Sequence, residues 1–173
     1  MQVAQGTQIR ADALLLHISR GVQKLMRLTS YTNFAMRILM YCSLHEGRSV
    51  TIAEIARDFD ISRAHLLKAA RRLGQLGYLH TTRGRSGGVR LAMEPEQISL
   101  GEVVRALETS DDFVECFNPD TNTCRIAGTC RLTGLLRRAL EAFYRELDSK
   151  TLADLVGDDR QLRRRLIAAL DVT

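Results

Sequence analysis

Tryptophan is missing from the 173-residue chain, proline occurs only twice, and aromatic residues make up 5% of it. So few chain breakers favour a helix-rich fold. No apolar run approaches the ~18 residues that a membrane crossing needs. The apolar patch from Ala13 to Ile18 is interrupted by His17 and lacks the long apolar core of a secretory signal. The expected compartment is therefore the cytoplasm, where disulfides are rare. No internal repeat or low-complexity segment is present, and no catalytic base, pocket motif or cofactor fingerprint marks an enzyme.

What is present fits a globular domain with a sizeable core: 45% hydrophobic and 26% charged residues. A net charge of +5 and a pI near 9.3 permit nucleic-acid binding without proving it.

Residues 1–25 read as a weakly structured extension. Phe34, Ile38 and Cys42, with Ala35 and Leu39, repeat every four residues and predict a helix over about 31–45, ended by Gly47. Cys42, on its apolar face, reads as a small buried hydrophobe. Thr51 and Glu54 form a T-x-x-E capping box for a second helix, with Ile52, Ile55, Ala56 and Phe59 on one face. Asp60 and Ile61 break it. Ser62 is placed to cap a third helix with Leu66, Ala70 and Leu73 inward, and Gly77 suits its end. Two short helices joined by so short a turn are a helix-turn-helix signature. YLHTT and VRLA, on either side of RGRSGG, read as strands of a hairpin.

Ser99 and Glu102 make another capping box. From Leu132 to Leu147 a wide apolar stripe predicts a long amphipathic helix, with Arg137, Glu141 and Arg145 opposite it and spaced to pair. The stripe either packs within one chain or dimerises, as regulators that read two half-sites do. A short TLADLV helix and a charged tail follow. The predicted class is mainly α with a small β-hairpin wing: a winged helix-turn-helix plus a long dimerisation helix. Its plan is an extension (1–25), a winged-helix DNA-binding domain (26–109), a cysteine-rich loop (110–131), and a dimerisation helix with tail (132–173).

The third helix carries Ser62, Arg63 and His65 at its start, suited to base edges, and Lys68 and Arg72 further on, suited to phosphates. Arg83, Arg85 and Arg90 lie on or beside the wing, and arginine on a slim loop fits a narrow minor groove. A protein-binding winged helix remains open at this point. The wing glycines lack the Lys-Ser/Thr ending of a nucleotide loop.

Three of the four cysteines fall within VECFNPDTNTCRIAGTCRL, residues 114–132. Cys116, Cys124 and Cys130 lack the C-x-x-C spacing of zinc knuckles and thioredoxin-like motifs. Thiolates suit zinc or iron–sulfur clusters, and the Asn, Pro, Asp and Gly residues between them let a loop wrap a cluster. Redox-active thiols and unliganded loop cysteines stay open as alternatives.

MRLTSYTNFAMRILMYC, the helix pair, RGRSGGVRLA, ISLGEVVRALE and the three-cysteine loop together resemble the Rrf-type regulators, over about residues 26–156. The resemblance implies a homodimeric winged-helix repressor on palindromic double-stranded operator DNA. It also implies an iron–sulfur cluster, 4Fe–4S in the first instance and 2Fe–2S in the second, held by Cys116, Cys124 and Cys130. FVECFNPDTNTC and TLADLV look most like the nitric-oxide-sensitive branch, and the cysteine spacing and Asn33 also resemble the iron-responsive branch. Another branch carries a ligating histidine where this chain has Thr133. Some members take an aspartate from the first helix of the partner subunit as fourth ligand; Asn33 occupies that position here, and Arg37 matches a position beside the cluster. The implied signal is nitric oxide, with iron availability or thiol oxidation as alternatives.

Overall fold

Thr29 opens the first helix of the structure, a computed structural model that describes residues 28–82, 84, 87–108, 113–157 and 162. Its hydroxyl accepts the Thr32 N–H at 3.2 Å and caps α1 (Ser30–Leu44). Ala35, Ile38, Leu39 and Cys42 form the buried face of α1, as their spacing predicts. The extension 1–25 lies outside the described residues.

Both halves of the Thr51–Glu54 box close at the start of α2 (Ile52–Phe59). Asp60, in the left-handed region at φ +51°, breaks the helix, and α3 (Arg63–Gln75) follows. Ser62 departs from expectation: its side chain makes no cap bond. The His65 N–H that the hydroxyl would satisfy is already taken by the Ser62 carbonyl at 3.1 Å. The hydroxyl is left to solvent.

Strands β1 (Leu79–Thr82) and β2 (Gly88–Leu91) pair antiparallel, Leu79 opposite Leu91 and Thr82 opposite Gly88. Val50 joins the sheet by two bonds with Val89, at 2.9 and 2.8 Å. Gly88 is required there, because a Cβ would stand 2.7 Å from the Val50 carbonyl oxygen. The sheet thus ties the α1–α2 connection to the wing.

A 3-10 turn (Pro95–Gln97) leads into α4 (Leu100–Leu107). Only half of the expected Ser99–Glu102 box forms: the Ser99 hydroxyl accepts the Glu102 N–H at 3.5 Å. Helix α5 (Arg131–Asp148) has no buried residue; Leu132 and Leu135 are 56% and 54% exposed. The chain then returns through α6 (Leu152–Val156), whose Leu152 and Val156 enter the main core. Two backbone bonds, Leu100 N–H to Lys150 O at 3.1 Å and Leu152 N–H to Ile98 O at 2.9 Å, hold that return against the start of α4. The expected Arg137–Glu141–Arg145 pairing is not what occupies Arg137, whose guanidinium lies 4.9 Å from the centre of the Phe117 ring. Among the described residues no helix is long and apolar enough to cross a membrane.

Partial burial opposes ionisation of Glu54, but the Thr51 N–H and hydroxyl and the Arg48 guanidinium outweigh it and hold the carboxyl below its ordinary range. A depressed folded-state pKa stabilises above the unfolded value and loses that contribution as pH falls through the folded value. Urea unfolding of wild type and Glu54→Gln is expected to differ by up to about 1 kcal/mol at neutral pH. The difference should close as pH falls through the folded-state pKa of Glu54, once its carboxyl is protonated in the folded and unfolded states alike.

Candidate DNA-reading face and thiol site

Leu66, Ala69, Ala70 and Leu73 bury one side of α3, which leaves Arg63, His65 and Lys68 exposed on the other, with Ser62 before them. The first turn of α1 supports this outer side. The Phe34 and His65 rings stack at 5.8 Å and 17°. The Lys68 ammonium lies 5.6 Å from the Tyr31 ring centre, and the Tyr31 hydroxyl donates to the Lys68 carbonyl at 3.4 Å. Arg72 is placed differently from expectation: it is half-buried, and its guanidinium donates to the Ala106 carbonyl at 3.5 Å. There it meets one of the carbonyls that the end of α4 leaves without a helical partner. Arg90 is exposed on β2, across from His80. Arg83 and Arg85 lie outside the described residues. Gly84, at φ +110°, accepts the Gly87 N–H at 3.0 Å and turns the wing loop.

The cysteine segment folds on itself before reaching α5. Cys116 sits in a 3-10 turn (Glu115–Phe117). The Phe117 ring stacks on Phe113 at 5.9 Å and receives Arg137 from α5. The Glu115 carboxylate accepts the Thr123 hydroxyl at 2.6 Å and the Thr123 N–H; these bonds draw its pKa down. Asn118 accepts the Asp120 N–H at 3.1 Å, and Asn122 accepts the Cys124 N–H at 3.0 Å, two short side-chain turns.

Cys130 occupies the N-cap position of α5. No side-chain cap bond closes there, yet the Thr133 N–H and hydroxyl and the Leu132 N–H face the sulfur and lower its pKa. The Thr133 hydroxyl also donates to Cys116 Sγ at 3.4 Å. The Thr133 hydroxyl thus links Cys116 to the start of α5, where Cys130 is the N-cap residue. Cys124 remains exposed, and among the described residues no three His, Cys, Asp or Glu side chains are grouped to hold a metal ion. Asn33 is exposed on α1. Arg37 is half-buried with its guanidinium 5.4 Å from the Phe59 ring centre, so it braces α2. Cys42 is buried as expected, which pushes its thiol up to about 12.

One contact joins the two regions. The Thr29 N–H and hydroxyl donate to the same Glu108 carboxylate oxygen at 2.8 and 2.9 Å. Glu108 ends α4, immediately before the segment that leads to the cysteines. Seventy-nine residues separate the partners, so no local pattern in the sequence marks the pair. Tyr31 was equally hidden, and Phe34 was legible only as part of a core stripe.

The family model described as Rrf2, iron-dependent transcriptional regulator, matches residues 28–158. The HTH-type transcriptional regulator NsrR of Geobacillus kaustophilus is 48% identical over 139 residues, covering 80% of this chain and 95% of that protein. NsrR of Bacillus subtilis is 44% identical over 142 residues, covering 82% and 97%. Among solved structures, CymR, the global cysteine regulator of B. subtilis, aligns with a TM-score of 0.62 at 22% identity, covering 76% of this chain and 97% of that one. The T. potens IscR aligns at 0.63 and 22%, covering 79% and 90%. These two structures share the mainly helical fold with its hairpin wing.

Alkylation of the metal-free, reduced protein with iodoacetamide near neutral pH, read by peptide mass spectrometry, is expected to label Cys116, Cys124 and Cys130. Cys42 should react at least tenfold more slowly until denaturant is added, because it is buried and protonated.

Proposed function

This chain belongs to the Rrf2 family of transcriptional regulators, and on that premise we propose that it is a homodimeric repressor whose grip on palindromic operator DNA is set by an iron–sulfur cluster and released by nitric oxide. The reading places it in the cytoplasm, with the DNA. It is a regulator and not an enzyme, in keeping with its curated relatives.

The link from Glu108 to Thr29 carries the proposal. The cysteine-rich loop begins two residues after Glu108, and Thr29 starts the helix whose Tyr31 and Phe34 rest on Lys68 and His65. A change in that segment therefore has a short path to the helix expected to read the operator. Ser62, Arg63 and His65 would meet base edges, Lys68 would meet a phosphate, and the wing arginines Arg83, Arg85 and Arg90 would enter the minor groove. Arg72 would join them only by giving up Ala106.

The donors present suit a cluster. Thiolate sulfur is a soft ligand, Cys130 is predisposed to deprotonate, and Cys116 stands with it. Cys116, Cys124 and Cys130 would hold the group, with Asn33 available on α1 for a fourth position. When bound, the cluster supplies iron able to take a small diatomic molecule. The residues do the rest. Cys124 is drawn in from solvent, the turn from Asn118 to Asn122 is ordered with it, and Glu108 is held against Thr29. Only a difference in operator affinity between loaded and empty protein can shift occupancy. The exposed Leu132 and Leu135 of α5 offer the apolar stripe for a second copy.

A second reading, response to iron supply on the same scaffold, is favoured by the family description itself. Anaerobic purification with visible absorption and iron and sulfide analysis tests the cluster; a colourless, iron-free protein after anaerobic reconstitution would overturn it. Nitric oxide is expected to release operator DNA, and release by an iron chelator alone would replace the nitric oxide reading with the iron reading. Glu108→Gln should shrink the ratio of operator affinities between loaded and cluster-free protein by about threefold or more, within the usual range of allosteric coupling. Lys68→Ala should lower the salt slope of binding by about one.

A further inference from the structure

Thr133 ties Cys116 to the start of the helix at which Cys130 is the N-cap. It is the third residue of α5, half-buried, and its hydroxyl donates to Cys116 Sγ at 3.4 Å. Each cysteine is brought there by a separate anchor. Cys130 is the N-cap of the helix on which Thr133 sits. Cys116 adjoins Phe117, whose ring is held by Arg137, one turn beyond Thr133. A β-branched side chain in a helix has few χ1 choices, so the hydroxyl is held on Cys116 Sγ at little entropic cost. Valine would keep that shape and remove the proton; serine would keep the proton.

We propose that Thr133 is the positioning residue of the thiol site, pairing Cys116 with Cys130 before any ligand arrives so that the chain presents a ready dithiol to which Cys124 is added. The pairing belongs to the empty chain; its consequence for a cluster rests on the function proposed above. A hydroxyl hydrogen-bonded to a cysteine sulfur draws charge from it, one of the means by which proteins tune thiolate-held clusters.

Phenylarsine oxide reads the pairing in the reduced, metal-free, full-length protein. It forms two As–S bonds, and its oxygen leaves as water with the two thiol protons, so no oxidant or reductant is consumed. Wild type is expected to bind one equivalent tightly. Cys116→Ser and Cys130→Ser should each abolish tight binding, and Cys124→Ser should keep it. Thr133→Val should weaken it at least tenfold, and Thr133→Ser should restore it to within twofold. Tight binding by Thr133→Val, or equal loss in Cys124→Ser and Cys130→Ser, would overturn the proposal.

Anaerobic reconstitution with iron and sulfide gives the second arm. Thr133→Val is expected to shift the visible absorption and to lose iron to a chelator several-fold faster than wild type, with Thr133→Ser unchanged. An unaltered band and rate in Thr133→Val would overturn its role toward a cluster. A wild-type protein that takes up no iron would sink the proposed function, while the arsenical result would still decide the pairing.

Discussion

Arg105 and Asp148 form the joint on which the thiol site hangs. The guanidinium and carboxylate meet through two parallel bonds, and the same guanidinium lies 4.4 Å from the Tyr144 ring centre. Gly101 makes the joint close, because a side chain there would collide with Asp148. Helix α5 is held to the domain at this C-terminal end and at the return of the chain into α6. It is 18 residues long against 8 for α4, so its N-terminal part runs about 15 Å past its neighbour. Cys130 sits at the far end of that lever. A tilt of about 5° at the joint moves Cys130 by roughly 2 Å over a helix of this length. Packing of Leu132 and Leu135 against a second copy would remove that freedom, which ties the proposed dimer to the geometry of the thiols.

The loop has two ends, and the second is Glu108. Its two bonds to Thr29 are partly open to water, where a single net hydrogen bond is worth about 1 kcal/mol. Allosteric couplings fall mostly between about 1 and 3 kcal/mol, so a contact of this strength is sufficient and also easily broken. Stronger attachment would fix α1 whatever the loop did. Beyond Thr29 the contacts stiffen into ring stacking and a cation over an aromatic face, and these follow α1 as a unit. In the proposed dimer a symmetric operator would read the change twice.

The winged helix was legible because its determinants are local. The capping box at Thr51, the break at Asp60 and the repeat that buries Ala35, Ile38 and Cys42 all act within a turn or two of helix. The residues whose contacts the sequence did not reveal have long or polar side chains whose partners come from elsewhere in the chain. Arg72 finds the end of α4, Arg37 finds Phe59, and Arg137 finds Phe117. Helical spacing places each on a face but cannot say which neighbour lies beyond it. Ser62 failed as a cap for the opposite reason: its own carbonyl took the N–H first. Thr133 stood out in sequence only as the residue where another branch of the family has histidine. Its bond to Cys116 joins residues 17 apart and depends on the fold of the loop between them.

The main core restricts what the loop can signal. Among the described residues its buried members run from Ala35 to Leu107 and resume at Leu152 and Val156, with none from the cysteine segment or α5. Losing order in that segment therefore leaves the buried surface that stabilises the winged helix intact, since hydrophobic stabilisation follows the area removed from water. A ligand at the thiols cannot control DNA binding by folding and unfolding the reading domain. It can act only by moving attachment points, and the structure provides two: the joint at Asp148 and the link at Glu108. With Cys116 and Cys130 paired as proposed, Cys124 is the thiol left to move. The turns that carry it are held by the exposed bonds of Asn118, Asn122 and Glu115. Its capture or release is a small rearrangement at the middle of a loop whose two ends are those two attachment points.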